Sequence, residues 1–255
     1  MTVSRAIRIG RIGRVARAGG GIFTPASLGS SLAAWWKAES ASCFTDVGGT
    51  VQAGDTDLVY VWKPRSGGAN LIQATEANRP RFATNAGAPY VVGVDANTVI
   101  QAAAYTGLNA GTFGIYAAVR NIRQVAIDRG MFWTSGNAAN KLAGSMSAGV
   151  ITFHRQANSY GVNVAPTVAA NEDVVLAWEM SGQVLAVGAI SGFVSKYSEA
   201  LVAAGVNYGE EGAFALWGGG ANEHGLHRIH EVVVTSAPLT GTNRTNLIAY
   251  LEAAF

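Results

Sequence analysis

Several features that usually indicate a compartment or a chemistry are missing from this sequence. Its only cysteine is Cys43, so no disulfide forms within the chain and stability does not depend on an oxidising compartment. Charged residues make up 13% of the chain, against about 25% in a typical globular domain. No apolar run approaches the ~20 residues of a membrane span. Nucleophile-elbow, phosphate-loop and dinucleotide motifs are all absent. We therefore expect a protein with no cofactor and no membrane contact.

The residues that are abundant favour a β-sandwich. Hydrophobic residues make up 49% of the chain, and 32 glycines supply turns. Apolar runs bounded by turn residues predict strands at 32–37, 58–62, 90–94, 112–120, 126–134, 150–154, 174–180, 184–190, 213–217 and 226–235. We expect 126–134 to be the partner of 112–120. Because 174–180 is almost wholly apolar, we expect both of its faces to be covered.

One helix is predicted, at the C-terminus. Thr240 is a candidate N-cap. Leu247, Ile248, Leu251 and Phe255 form an apolar stripe at helical spacing. We expect this stripe to pack against the sandwich.

The N-terminus carries arginine at every third position, at Arg5, Arg8, Arg11, Arg14 and Arg17, followed by glycines at 19–21. No acidic residue lies among them, so this segment carries +5; since the whole chain carries +2, the remainder carries −3. A step of three aligns side chains only on a threefold backbone such as polyproline II. We predict an extended anchoring arm with a glycine hinge over residues 1–27, ordered by a partner. A solvated, disordered tail is the alternative.

The spacers in the arm indicate what it binds. Arginines can pair with phosphates or with carboxylates. The residues between them include Ile7, Ile9, Ile12 and Val15, and no aromatic residue precedes Phe23. Nucleic-acid binding would favour interleaved aromatics for base stacking. We therefore expect a protein groove rather than nucleic acid, and contact between an arm and a neighbouring acidic body is electrostatically allowed.

Residues 28–255 resemble a known family. The segments LAAWWKAES and LVYVWKPRSGGANLIQATEANRPRF, and the C-terminal HRIHEVVVTSAPLTGTNRTNLIAYLEAAF, resemble concanavalin A-like (laminin-G-like) jelly rolls of bacteriophage virion proteins. The resemblance implies an all-β, two-sheet antiparallel jelly-roll sandwich with a short C-terminal helix. Such domains are usually displayed on a particle or cell surface, where they bind glycans or decorate. The arm lies outside the resemblance.

The carboxylates do not match the pattern of a glycosidase of this family. Such enzymes place two carboxylates around the scissile bond, usually in a Glu-x-Asp-x-x-Glu motif that this sequence lacks. Glu210 and Glu211 are adjacent and would point to opposite faces of a strand. Asp173 and Glu179 share strand parity but lie ~20 Å apart by strand rise. We therefore expect no enzymatic activity.

Two clusters could hold a metal, although ordinary roles account for both. His224, His227 and His230 are good ligand types, but His227 would face away from the other two on a strand. Such a site would need several chains around an oligomer axis, so we expect no metal. An acidic loop contains Asp46, Asp55 and Asp57. It could bind calcium, remain solvated, or receive the arginine arm of a neighbour.

Tryptophan and one arginine motif complete the candidates. Trp35, Trp62 and Trp178 lie in apolar runs and should be core residues. Trp133 and Trp217 are the better candidates for stacking on a sugar, although core packing is the favoured interpretation of each. Asn78-Arg79-Pro80 is expected to form a turn in which Arg79 pairs with a loop carboxylate.

Three functions from different classes remain. The first is a structural virion protein, a capsid decoration, head fibre or tail accessory that its arm anchors to other virion proteins. It would be assembled in the cytoplasm of a bacterial host, as a homo-oligomer for which a trimer is plausible. The second is a glycan-binding adhesin or receptor-binding module, and the third is a hydrolase. We favour the first, with the second as its alternative.

Overall fold

A computed structural model describes most of the chain. The described residues are 17–18, 21–94, 97–105, 112–120, 129–135, 142–147, 150–155, 160–164, 168, 171–181, 184–191, 194–201, 212–217 and 227–255. The first sixteen residues of the predicted arm, including Arg5, Arg8, Arg11 and Arg14, lie outside this set, as does His224.

Strands account for most of the described residues, with one α-helix at the C-terminal end. The strands are β1 Arg17–Ala18, β2 Gly21–Ile22, β3 Leu32–Lys37, β4 Cys43–Phe44, β5 Val61–Trp62, β6 Ser66–Gly67, β7 Leu71–Ile72, β8 Arg81–Asn85, β9 Ala88–Val92, β10 Ile100–Tyr105, β11 Thr112–Arg120, β12 Arg129–Ser135, β13 Leu142–Ser147, β14 Val150–Arg155, β15 Tyr160–Val164, β16 Asp173–Ser181, β17 Val184–Ser191, β18 Val194–Leu201, β19 Gly212–Leu216 and β20 Arg228–Thr235. The helix α1 is Gly241–Glu252, and short 3-10 segments occupy Pro25–Ser31 and Glu76–Asn78.

These strands form two large antiparallel sheets. The sheet that we call the helix-side sheet has the order β18-β17-β16-β11-β20-β3-β6, with β9 beside β20 and β8 beside β9. The far sheet has the order β15-β14-β13-β12-β19-β10-β7-β5-β4. The expected all-β sandwich with two antiparallel sheets and a short C-terminal helix is confirmed.

The main core lies between the two sheets. It contains apolar residues from both, among them Trp36 and Trp178 of the helix-side sheet and Trp62, Phe132 and Phe214 of the far sheet. Trp36 stacks on Phe214 with ring centroids 5.5 Å apart, and Phe132 meets Trp178 edge-on at 5.2 Å. Such pairs contribute about 0.5–1.5 kcal/mol beyond the area that they bury.

A second core covers the outer face of the helix-side sheet. Leu247 and Leu251 of α1 are fully buried there against Val175 and Ala177 of β16 and Val233 of β20. The apolar stripe of the helix therefore packs as expected, and both faces of β16 are covered. Thr240 occupies the N-cap position, but its side chain makes no capping hydrogen bond. No helix in the described ranges is long and apolar enough to cross a membrane.

One strand pairing differs from the sequence prediction. β11 does not pair with β12; its neighbours are β16 and β20, and β12 lies in the far sheet between β13 and β19. The prediction was wrong because it assumed that successive strands pair. Eight described strands of the two sheets were not predicted: β4, β6, β7, β8, β10, β13, β15 and β18. They are either two residues long or rich in polar and small residues, so their apolar signal is weak.

Candidate functional site

Within the predicted arm, the described residues are 17–18 and 21–27. Arg17 pairs with Ile22 in the short ladder between β1 and β2, so the backbone is extended at this point. The other four arginines lie outside the described residues, and the anchoring role of the arm stays a prediction.

The three aspartates of the acidic loop accept hydrogen bonds from backbone N–H groups, two of them within the loop and Asp55 from β8. Asp46 accepts the backbone N–H groups of Thr50 and Val51 at 2.8 and 2.7 Å, and the Val51 bond is the main cause of the lowered pKa of Asp46. Asp55 accepts the N–H of Thr84 at 2.8 Å.

Asp57 makes a similar bond within the loop, because it accepts the N–H of Gly54 at 2.8 Å. Across the described part of the chain, no group of three or more His, Cys, Asp or Glu residues has the arrangement of a metal site. Since both Asp55 and Asp57 are exposed, the loop still presents negative charge to solvent.

Trp217 is not at the surface. It follows β19 with a left-handed backbone (φ +53°) and its ring lies in the main core, 0% exposed. Its indole N–H donates to the backbone carbonyl of His227 at 3.2 Å. A sugar has no access to this ring in the structure, which rules out the stacking role for Trp217 and agrees with the favoured core packing. Trp35, Trp62 and Trp178 are buried, as expected.

Trp133 has a different position, on the far sheet. In β12 it is in register with Ala215 of β19 on one side and Ala143 of β13 on the other. The preceding residue, Phe132, belongs to the main core. Because successive residues of a strand alternate between faces, position 133 lies on the outer face of the far sheet.

The register extends this outer position into a row across the whole far sheet. The row that we call the Trp133 row contains Phe44, Val61, Ile72, Gln101, Ala215, Trp133, Ala143, His154 and Gly161. Ile72 is 42% exposed and Gln101 is half-buried, so part of the row is accessible to solvent.

Of the three clustered histidines, the two that lie in the described ranges, His227 and His230, have separate environments. His227 precedes β20, whereas His230 lies in β20 at a bulge, where the register with β11 shifts. His230 packs against Tyr90 and, edge-on, against Phe255. Burial lowers the pKa of His230 to about 4. A neutral imidazole in an aromatic cluster accounts for this residue without a metal.

Sequence analysis did not foresee the role of Glu231, which is a buried carboxylate under α1. It is 2% exposed. Lys37 forms an ion pair with it at 2.9 Å, and Trp35 and Tyr250 donate hydrogen bonds to it at 2.9 and 3.2 Å. Burial raises the pKa of Glu231, and the nearby ammonium of Lys37 opposes that shift. A glutamate at the head of the apolar run 231–235 was the signal for such a site.

A second buried carboxylate holds the other end of the helix. Glu179 of β16 accepts a hydrogen bond from the hydroxyl of Tyr116 and pairs with Arg244 of α1 at 3.3 Å. The Tyr116 oxygen also accepts the N–H of Leu239 at 2.8 Å. Residue 114 must be glycine here, because a Cβ would lie 2.6 Å from the Tyr116 ring.

Glu179 and Glu231 do not form a catalytic pair. Glu179 is in register with Gly114 of β11 and Glu231 with Ala118, so they lie two strands and four residues apart. That offset places their backbones about 17 Å apart, whereas glycosidase carboxylates lie within about 5–9.5 Å. Each is instead tied to α1, through Arg244 and Tyr250 respectively, which makes both of them helix-docking residues.

Arg79 forms the expected turn with different partners. It ends the 3-10 segment Glu76–Asn78, donates to the backbone carbonyls of Gln73 and Ala74 at 3.0 and 2.9 Å, and stacks over Tyr60 at 4.4 Å. The expected carboxylate partner was wrong, since backbone carbonyls of the preceding loop take its place.

Three solved structures of similar fold come from carbohydrate-active proteins. The chain is similar to a GH54 α-L-arabinofuranosidase (15% identity, 88% of this chain and 63% of that chain, TM-score 0.64) and to Trypanosoma rangeli sialidase (10% identity, 87% and 32%, TM-score 0.57). It is also similar to domain 4 of a GH43 extracellular arabinanase from Geobacillus stearothermophilus in complex with arabinotriose (14% identity, 87% and 98%, TM-score 0.52). No protein-family model and no curated protein matches the sequence.

These similarities show the fold, a β-sandwich shared with carbohydrate-active domains. The chain spans less than two thirds of the arabinofuranosidase chain and about a third of the sialidase chain. The sequence led us to exclude enzymatic activity. That exclusion is wrong, because the same sandwich fold occurs in two glycoside hydrolases. The missing Glu-x-Asp-x-x-Glu motif therefore does not decide the question.

Proposed function

We propose that this sandwich binds glycans on the outer face of the far sheet, around Trp133. The observation that carries the proposal is the register of Trp133 between Ala215 and Ala143. Both of these neighbours in the row are small residues, and Ala215 is itself buried. Sites for small organic ligands commonly combine aromatic residues with a few polar groups, and Gln101 and His154 supply polar groups in the same row.

The fold supports the same proposal independently. The arabinanase domain of similar fold, of which this chain covers 98%, was solved with arabinotriose. Glycan binding by this chain would also agree with the surface display that its resemblance to concanavalin A-like domains implies.

The test is binding of soluble oligosaccharides to the full chain by calorimetry, after a glycan array has selected ligands. We expect Trp133→Ala to weaken binding at least tenfold, equivalent to about 1.4 kcal/mol, and Trp133→Phe to retain most of it. Val47→Ser is the matched surface control, because Val47 is 75% exposed on the acidic loop. Unchanged binding by Trp133→Ala, or no ligand for the wild-type protein, would contradict the proposal.

The same samples should be analysed for new reducing ends. Because the fold also occurs in glycoside hydrolases, release of shorter sugars by the wild-type protein would extend the function from binding to hydrolysis. Loss of that release in Trp133→Ala would place the reaction on the same face.

A second role is favoured by the arginine arm. We propose that Arg5, Arg8, Arg11, Arg14 and Arg17 fasten the protein to a protein groove in a larger assembly, a bacteriophage particle in the case that the family resemblance implies. The contrast between the +5 of this segment and the −3 of the remainder supports the proposal. Its partners would be other virion proteins, and the display unit would be a homo-oligomer such as a trimer.

Replacing the five arginines by glutamine in the full chain should abolish incorporation into particles, whereas replacement by lysine should retain part of it. Incorporation of the glutamine variant at the wild-type level would refute the role of the arm. Light scattering on the same proteins gives the oligomeric state.

The acidic loop is the proposed receptor when the partner is a second copy. Asp55→Asn with Asp57→Asn removes two charges while keeping oxygens that can accept the N–H groups of Thr84 and Gly54. Self-association that is unchanged in this variant would exclude the loop as receptor.

A further inference from the structure

The outer face of the far sheet carries a second row, made of polar residues. Ser145 of β13, Thr152 of β14 and Asn163 of β15 are in register with one another. They lie two residues along their strands from Ala143, His154 and Gly161, which continue the Trp133 row. The two rows are therefore about 7 Å apart and run in parallel across the strands.

The residue types in these two rows form a consistent chemical set. From β10 to β15, the positions identified by register are Gln101, Ala215, Trp133, Ala143, His154, Gly161, Ser145, Thr152 and Asn163. Hydroxyl and amide groups both donate and accept hydrogen bonds, as sugar hydroxyls do. None of these described positions is Arg, Lys, Asp or Glu.

Acidic sugars would call for different residues. A uronate, sialate or sulfate is recognised best by arginine, whose fork pairs with the anion through two hydrogen bonds. Four of the described cationic side chains are already paired with carboxylates, Lys37 with Glu231, Arg65 with Glu39, Arg120 with Asp173 and Arg244 with Glu179. Two of them belong to the helix-side sheet and one to α1.

We propose that the outer face of the far sheet selects an uncharged glycan chain that lies across the strands, over the Trp133 row and along the polar row. This inference rests on the proposed glycan-binding function and specifies its ligand class. The sheet has four strands from β12, which contains Trp133, to the edge strand β15, and these span about 14 Å. That span exceeds a single sugar ring, so the ligand is an oligosaccharide rather than a monosaccharide.

The experiment compares sugars that differ only in charge. Lactose is compared with sialyllactose, and neutral xylo-oligosaccharides with the same chains carrying a glucuronate, by calorimetry at pH 7.5, where a free imidazole is mostly neutral. We expect each bound neutral sugar to bind at least tenfold more tightly than its acidic counterpart. Affinity should change less than twofold between 50 and 500 mM NaCl, because no ion pair is formed. Longer neutral chains should bind more tightly than disaccharides.

Variants of the polar row sharpen the test. Thr152→Ala should weaken the neutral ligand severalfold, and Thr152→Arg should raise the affinity for the acidic counterpart. Preference of the wild-type protein for the acidic sugar, with loss of that binding in Trp133→Ala, would overturn this inference and leave the proposed function intact. Failure of every sugar to bind would instead overturn the proposed function, and this inference with it.

Discussion

The two outer faces of this sandwich differ in what they bury. On the helix-side sheet, Glu179 and Glu231 are buried beneath α1 and paired with Arg244 and Lys37. On the far sheet, the Trp133 row and the polar row contain no Arg, Lys, Asp or Glu, although Lys63 lies over the ring of Phe44 at the β4 end of the Trp133 row. A buried charge is tolerated only when a partner and hydrogen bonds satisfy it. The buried carboxylates of the helix-side sheet therefore hold α1 in place, whereas the face proposed for the neutral glycan is built from other residue types.

The largest expected effect follows from removing a charge partner on the helix-side face. Lys37→Met leaves Glu231 buried with only the hydrogen bonds from Trp35 and Tyr250. We expect a loss of about 3 kcal/mol in the free energy of unfolding at pH 8, measured by urea denaturation. Because burial already raises the pKa of Glu231, the carboxyl takes up a proton more readily when folded. The loss should therefore shrink as the pH falls towards 5.

The control for this prediction is the double variant Lys37→Met with Glu231→Gln. It removes the buried charge along with its partner, so it should regain most of the lost stability. A cost below about 1 kcal/mol for Lys37→Met alone would show that the ion pair behaves like an exposed surface pair.

A smaller effect is expected from acid acting on His230. Its pKa is lowered from 6.5 to about 4, mainly by burial, and the positive charges of Arg120 and Arg228 also lower it. As the pH falls, His230 therefore takes up a proton at a higher pH in the unfolded chain than in the folded chain. The contribution of the neutral His230 to the free energy of unfolding is fully present above pH 6.5 and is lost as the pH falls towards 4. At pH 5 the loss is about 2 kcal/mol.

Urea denaturation of the wild-type protein and His230→Phe at pH 7.5 and pH 5 isolates this contribution. The variant keeps an aromatic ring against Tyr90 and Phe255 and should lack this part of the acid sensitivity. Equal acid sensitivity in both proteins would assign it to other groups.

The smallest effect is expected on the far sheet. Gln101→Ala changes a half-buried residue of the uncharged row, and its free energy of unfolding should stay within about 0.5 kcal/mol of the wild-type value. Thermal unfolding measures this, with Lys37→Met as the reference from the opposite face. A loss comparable to that of Lys37→Met would remove the difference between the two faces.

Periodicity predicted the long strands well. The structure contains β3 and β11 with the predicted bounds and β16 and β17 extended by a residue at one or both ends, because these strands are apolar enough to stand out from their turns. The two-residue strands β4, β6 and β7 could not be located in the same way. Their pairing depends on neighbours that are distant in sequence, and two residues show no alternation.

The candidate site was predictable only in part. Trp133 and Trp217 both lie in or beside apolar runs, and sequence alone treated them alike. The structure separates them, since Trp217 follows the end of β19 with its ring in the core, whereas Trp133 falls on the outer face by register. Glu179 and Glu231 could have been noticed as carboxylates inside apolar strands, but their partner residues on α1 could not.

By itself the sequence determined an all-β body, a C-terminal helix and an N-terminal segment that concentrates positive charge, because these depend on composition and on periods of two or nearly four residues. Only the tertiary structure decided which strands pair, which tryptophan lies in the core and which carboxylates are buried. Those outcomes depend on register across strands that are far apart in the chain, and a shift of one residue would exchange the two faces of a strand.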